Sequence, residues 1–269
     1  MVTFEIFTIF PDFFTSVLAH GVLHRALEAG HAAVRVHNFR DYTTDKHRTV
    51  DDRPFGGGPG MVLKPEPIFT ALERVMETTG ERDFPRILLS ARGRLFDQEC
   101  ARRLSGHARI AMICGRYEGV DERVAEHLAT EEISVGNFVL SGGELAALIL
   151  LDSVVRLLPG VLGNEESAET ESFSPGPFSG EGSVDEGEAE VSSLGLLDYP
   201  QYTRPEDFRG WKVPPVLLSG NHREIRDWRS REAVEKTRRT RPDVLERAGI
   251  PVEKPPEAES RGGKRKKSA

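Results

Sequence analysis

Two neighbouring stretches of this 269-residue chain carry the residue types from which a main-chain binding pocket can be built. Ile113 to Arg123 reads I-C-G-R-Y-E-G-V-D-E-R, and Ser134 to Glu144 reads S-V-G-N-F-V-L-S-G-G-E. Each follows or contains an apolar, β-like run and mixes glycines with polar residues. Glycine reaches positive φ and lets a ligand approach bare N–H and C=O groups. A third stretch, Leu88 to Arg94 (L-L-S-A-R-G-R), reads as a strand end followed by a turn of small residues. Open α/β sheets hold ligands at the carboxyl ends of their strands. Ser90, Gly115 and Gly136 all fall at or near such ends, so a shared pocket is expected. Tyr117 and Phe138 either wall it or pack as ordinary core. Gly56-Gly57-Gly58-Pro59-Gly60 looks like a phosphate loop but has no Lys-Ser/Thr after it and no G-x-G-x-x-G spacing, which argues against a nucleotide or dinucleotide site.

Charged residues add a second set of candidates. Arg156 closes a nearly all-apolar helix; it either complements the helix C-terminus or is held to meet an anion. Glu165, Glu166, Glu169 and Glu171 lie in a stretch that reads as a solvated linker. Residues 160–198 contain ten acids and no Lys or Arg, whereas residues 199–269 contain 18 Lys/Arg against 11 Asp/Glu. The formal net charge of −7 therefore hides a basic C-terminal third, which points to a polyanionic partner. Arg223, Arg226 and Arg229 recur along one helix, with Trp211, Lys212 and Trp228 nearby. Acids interleave with them, yet cations for phosphates and aromatics for unpaired bases favour a nucleic-acid surface.

The elements that must position these residues alternate. Strands are predicted at Val2–Ile9, Ala33–Asn38, Arg86–Ser90, Ala108–Cys114 and, as an extended segment, Glu132–Leu140. Helices are predicted at Pro11–Ala29, Pro65–Thr79, Asp97–Leu104, Asp121–Ala129 and Glu144–Leu158, the last entered through an S-x-x-E box from Ser141 to Glu144. Its apolar surface runs almost all round, so it is expected in the core or against a second subunit. Arg40–Gly60 shows no periodicity and reads as a long functional loop. The pattern is α/β with a mostly parallel sheet. The domains read as 1–160 α/β, 161–198 acidic linker, 199–250 helical with Asn221 as N-cap, and 251–269 a basic tail.

Cys100 and Cys114 form no metal spacing and fit reduced core thiols. No basic n-region precedes the first apolar run, and no run approaches the length of a bilayer span. A cytoplasmic protein without a membrane segment or metal-ligand cluster is expected.

Four motifs carry a resemblance: H-R-T-V-D-D-R-P-F-G-G-G-P-G-M (His47 to Met61), C-G-R-Y-E-G-V-D-E-R (Cys114 to Arg123), S-V-G-N-F-V-L-S-G-G-E-L (Ser134 to Leu145) and P-P-V-L-L-S-G-N-H (Pro214 to His222). In this order they closely resemble the bacterial tRNA (guanine-N1)-methyltransferase family, over about residues 1 to 250. The resemblance implies a SPOUT-class fold, α/β with a deep C-terminal trefoil knot, followed by a small α-helical domain. It implies an obligate homodimer binding S-adenosylmethionine and the anticodon branch of tRNA, with magnesium assisting. The implied reaction is methyl transfer to N1 of guanosine 37. Carried over by position, the donor site is Leu88, Leu89, Ser90, Gly115, Tyr117, Glu118, Ser134, Val135, Gly136, Asn137, Phe138, Val139, Leu140, Gly142 and Gly143. The active-site arginine falls on Arg156 and the general base on Glu171, where the family usually has Asp. Ala91-Arg92 and Asn137-Phe138 also depart from the family's usual Pro-Gln and Asp-Tyr. A non-catalytic tRNA-binding homologue and a knotted RNA methyltransferase with another target are the competing readings.

Overall fold

A computed structural model describes residues 1–163, 171–174 and 195–247. The predicted linker core and the basic tail 251–269 lie outside the described residues. The chain divides into two units, 1–168 and 169–269.

The first unit is built on a five-stranded parallel sheet, β1 Val2–Thr8, β2 Ala32–Asn38, β5 Arg86–Leu95, β6 Arg109–Cys114 and β7 Glu131–Ser134, in the order β2-β1-β6-β5-β7. Strand alternation separates two cores. Ile110, Met112 and Cys114, with Ile87 and Leu89, face α2 (Gly21–Glu28), α4 (Gln98–Ser105) and α6 (Glu144–Val155). Ala111, Ile113 and Leu88 face α3 (Pro65–Thr79) and α5 (Glu122–His127). Apolar runs buried on both faces are what a parallel sheet under two helical layers requires.

Five expectations change in detail. The predicted helix 11–29 is a 3₁₀ turn, Pro11–Phe14, then a short α1, Thr15–Leu18, then α2. The break comes at Ala19–Gly21, where Gly21 has φ +69° and ends helical continuity. The segment 40–60 is not unstructured: a 3₁₀ turn, Phe39–Tyr42, precedes β3 (Asp51–Asp52), which pairs antiparallel with β4 (Val62–Leu63). Strand β5 continues past Ser90 to Leu95, but its pairing with β7 jumps from Leu89↔Ile133 to Arg94↔Ile133, so residues 90–93 are looped out at the sheet end. Strand β7 stops at Ser134 instead of running to Leu140. Finally, no side chain caps α6: its N-cap is Gly143, and Glu144 turns inward, 1% exposed.

A charge cluster centres on the buried Glu5, on β1 between β2 and β6. Glu5 on β1 receives hydrogen bonds from Arg109 and from Arg35, and its other oxygen lies 2.8 Å from His37 Nε2. Burial works to raise the Glu5 carboxyl, but the His37 hydrogen bond and the charges of His37, Arg109 and Arg35 hold it below its ordinary value.

In the second unit, the turn Glu171–Ser174 is tied to residues 195–198. Phe173 N–H donates to Leu196 O at 2.9 Å, and Ser172 Oγ pairs with Asp198. The small hairpin of β8 (Asp207–Phe208) and β9 (Trp211–Lys212) precedes α7 (His222–Thr240) and α8 (Pro242–Arg247). Asn221 caps α7 as expected, its side chain accepting from the N–H groups of Arg223 and Glu224. Ala233, Thr237, Val244 and Leu245 form the buried face, leaving Arg223 and Arg226 exposed. No helix among the described residues is long and apolar enough to cross a membrane.

Candidate functional site

Three chain segments leave the carboxyl end of the sheet side by side: the loop-out after Leu89, the β6 exit at Gly115, and the β7 exit at Ser134. Together they wall a cleft of about 440 Å³. Of the expected donor-site residues, Leu88, Leu89, Ser90, Gly115, Tyr117, Glu118, Ser134, Val135, Gly136, Phe138, Val139, Leu140, Gly142 and Gly143 all line it; Asn137 does not. Leu88 and Leu89 form buried floor, whereas Val139 is 87% exposed at the rim. Tyr117 takes a positive φ of 61°, a sparsely populated conformation for a bulky residue, and is half exposed. The Ser134 hydroxyl is bonded within its own turn, to Gly136 N and O.

The two glycine-rich loops are zipped together through main chain. Gly143 N–H donates to Gly115 O at 2.9 Å, and Arg116 forms an antiparallel bridge with Gly142. Only glycine permits this approach. A Cβ at Gly143 would lie 2.7 Å from Cys114 Cα, and one at Gly142 would lie 2.1 Å from Arg116 Nε. The segment 50–64 closes the near side: Glu118 N–H donates to Met61 O, and Leu63 N–H to Gly119 O, both at 3.0 Å. That contact puts Val62 in the cleft wall.

The sequence assigned no contact role to several residues in and behind the wall. Arg92 reaches the Glu122 carboxylate at 2.9 Å, a hydrogen bond that raises the guanidinium's already high pKa. Arg116, quoted in a motif but given no role, lies under the cleft with its guanidinium 4.7 Å from the Phe10 ring. Glu144, read as a capping residue, is its buried partner. The one available signal was an acid directly before an all-apolar helix, and it pointed equally well to a capping box. Burial pushes the Cys114 thiol well above its usual range, and the neighbouring Glu144 carboxylate adds to the shift, so this cysteine is an inert core group.

The two expected catalytic groups fall in different units. Arg156 is the half-buried C-cap of α6 in the first, its N–H donating to Asp152 O at 3.2 Å. Glu171 is half-buried at the start of its turn in the second, its carbonyl accepting from Ser174 N–H at 3.1 Å. Among the described residues, no three His, Cys, Asp or Glu side chains converge as a metal site.

A parallel α/β sheet with a glycine-lined cleft at its carboxyl edge defines a small-molecule-binding domain of the open-sheet kind. The family model described as tRNA (Guanine-1)-methyltransferase TrmD matches residues 2–247. A tRNA (guanine-N(1)-)-methyltransferase of Koribacter versatilis is 54% identical over 93% of this chain and 94% of its own length. Enzymes of the same name from Dehalococcoides mccartyi and Geobacter sulfurreducens are 49% and 48% identical, covering 90% and 92% of each chain. The chain belongs to the TrmD family of tRNA (guanine-1)-methyltransferases.

Proposed function

We propose that this chain transfers the methyl group of S-adenosylmethionine to N1 of guanosine 37, just 3′ of the anticodon, in tRNA. The observation that carries the reading is the cleft: the positions that match the family's donor site come together at one sheet edge, in a protein of that family. The fit is also chemical. The volume lies in the ~300–1,000 Å³ range of cofactor sites. Leu88, Leu89, Val135 and Leu140 give apolar walls for a flat base, and glycine main chain gives polar groups for its edges. Bound there, S-adenosylmethionine supplies a methyl group already activated by its sulfonium charge.

The protein's task is the acceptor. Guanine N1 carries a proton and is a poor nucleophile until that proton leaves. Glu171 takes it as general base, one methylene longer than the usual Asp. Negative charge then spreads to O6, where the Arg156 guanidinium stabilises it. Magnesium remains a candidate to assist the reaction, as it does in the family.

The reading extends to assembly and partners. Residues 1–160 form the donor-binding domain, which carries the family's trefoil knot. Residues 199–250, with their exposed arginines and the 70%-exposed Trp211, hold the anticodon branch, between the linker 161–198 and the tail 251–269. The active form is a cytoplasmic homodimer. Its support is the set of exposed apolar side chains Phe10, Phe13, Val17, Leu145 and Ile149, on and just before the 3₁₀ turn, on α1 and on α6.

The test is nucleoside mass spectrometry on an unmodified tRNA transcript with guanosines at 36 and 37, incubated with the protein and S-adenosylmethionine. One N1-methylguanosine per tRNA is expected, and none when position 37 is changed to adenosine. Methylation at another site would assign a different target. Binding of both substrates without transfer would establish the non-catalytic reading.

A further inference from the structure

We propose that Glu144 is a positioning residue for the donor cleft, acting through Arg116 and Thr8. The proposal rests on the reading of the cleft as the S-adenosylmethionine site. Glu144 is 1% exposed, and all its acceptor capacity is directed at the cleft's supports. Oε1 accepts from the Thr8 hydroxyl at 2.7 Å. Oε2 accepts from Arg116 Nε at 2.9 Å and lies 2.9 Å from Nη2 of the same guanidinium. Thr8 in turn receives the N–H of Phe10 at 2.9 Å, while Arg116 Nη1 donates to Ser141 O at 3.1 Å and its guanidinium lies over the Phe10 ring.

One carboxylate therefore joins three segments that share no strand: the end of β1, the β6 exit and the loop entering α6. Two of them wall the cleft, and the third backs them. Arg116 fills the space in front of Gly142, so its placement sets how closely Gly115 and Gly142–Gly143 approach. A buried charge with both oxygens occupied is costly to build and costly to break. Stability alone would be served as well by an apolar side chain at this core position. The polar arrangement instead fixes one geometry for loops that carry little side-chain packing of their own.

The experiment measures S-adenosylmethionine affinity by calorimetry on the full-length protein, with thermal melts in parallel. Glu144→Gln keeps the volume and the Thr8 hydroxyl but loses the ion pair. Its Kd is expected to rise at least about tenfold, the lower end of the ~10–100-fold lost when the partners that orient metal ligands are removed. At saturating donor, kcat is expected to stay within about threefold of wild type, because the acceptor groups are untouched. Thr8→Val removes one hydroxyl without changing charge, and a Kd rise of about threefold or more is expected. It decides the matter if Glu144→Gln does not fold. Leu151→Ala, in the fully buried core of the same helix, is the stability control. It is expected to lower Tm without moving Kd. Wild-type affinity in the folded Glu144 and Thr8 variants overturns the proposal, as does an equal Kd rise in Leu151→Ala. Failure of the wild-type protein itself to bind the donor would instead remove the reading of the cleft.

Discussion

Gly143→Ala isolates the close approach on which the cleft depends. Gly143 has φ −78° and ψ −10°, a conformation alanine adopts freely, so the backbone itself imposes no penalty. The added methyl would lie 2.7 Å from Cys114 Cα and 3.1 Å from Gly115 N. Both are main-chain atoms at the end of a central strand, with no rotamer to yield. The two segments must separate, at an overpacking cost of about 1–3 kcal/mol. Separation also lengthens the 2.9 Å bond from Gly143 N–H to Gly115 O, worth about 1 kcal/mol. A total of about 2–4 kcal/mol corresponds to a Tm lower by about 5–12 °C for a folding unit of this size. Circular dichroism melts measure it, with Gly163→Ala as the control, because a methyl there meets nothing within 4 Å. A Gly143→Ala protein melting within about 1 °C of wild type would refute the argument that these loops are sterically locked.

Three further outcomes follow from the site and its frame. Glu171→Gln should lower kcat by about 10²–10⁴-fold while leaving both substrates bound, since only the proton acceptor is lost; single-turnover methylation measures it, and unchanged turnover would remove Glu171 from the mechanism. Acid stability should depend on Glu5. Its carboxyl is held low in the folded state, so the stability it contributes is complete above an unfolded value of about 4.3 and is lost as pH falls through the folded value; Glu5→Gln should flatten the acid limb of Tm against pH between about 5 and 3. Raising salt from about 50 to 200 mM should weaken tRNA binding at least tenfold in filter-binding assays, with donor affinity nearly constant, because only the tRNA contacts release counterions.

The sheet was largely legible in the sequence because its strands are apolar runs bounded by turn residues, and buried parallel strands need little else. Helix α3 was legible for a similar reason, with Pro65 at its start and Gly80 in a left-handed cap at its end. The break in the predicted helix 11–29 is local, at Gly21, but two other misreadings share a cause: local pattern was overridden by contacts distant in sequence. Ser141 and Glu144 have the spacing of a capping box, but Thr8, 136 residues away, and Arg116 claim the carboxylate instead. The two-residue strands β3 and β4 carry no periodicity to detect and exist because Met61 and Leu63 bond to the loop 118–121. The cleft's glycines could be found from sequence, whereas Val62 enters its wall, and Glu144 supports it through Arg116, only through the fold. The roles of Arg156 and Glu171 came from family likeness; their immediate surroundings suit a helix end and a solvated turn equally well.

A cleft read by glycine main chain has a consequence for attempts to block it. An inhibitor that bonds main-chain N–H and C=O groups along the cleft contacts atoms that every amino acid possesses. Exchanging side chains cannot delete those contacts. The remaining route to resistance is to displace the main chain, and at Gly142 and Gly143 any side chain strikes Arg116 or the β6 backbone first. Escape there would carry a loss of stability with it, so the choices open to a resistant variant lie at the rim, among exposed residues such as Tyr117, Phe138 and Val139.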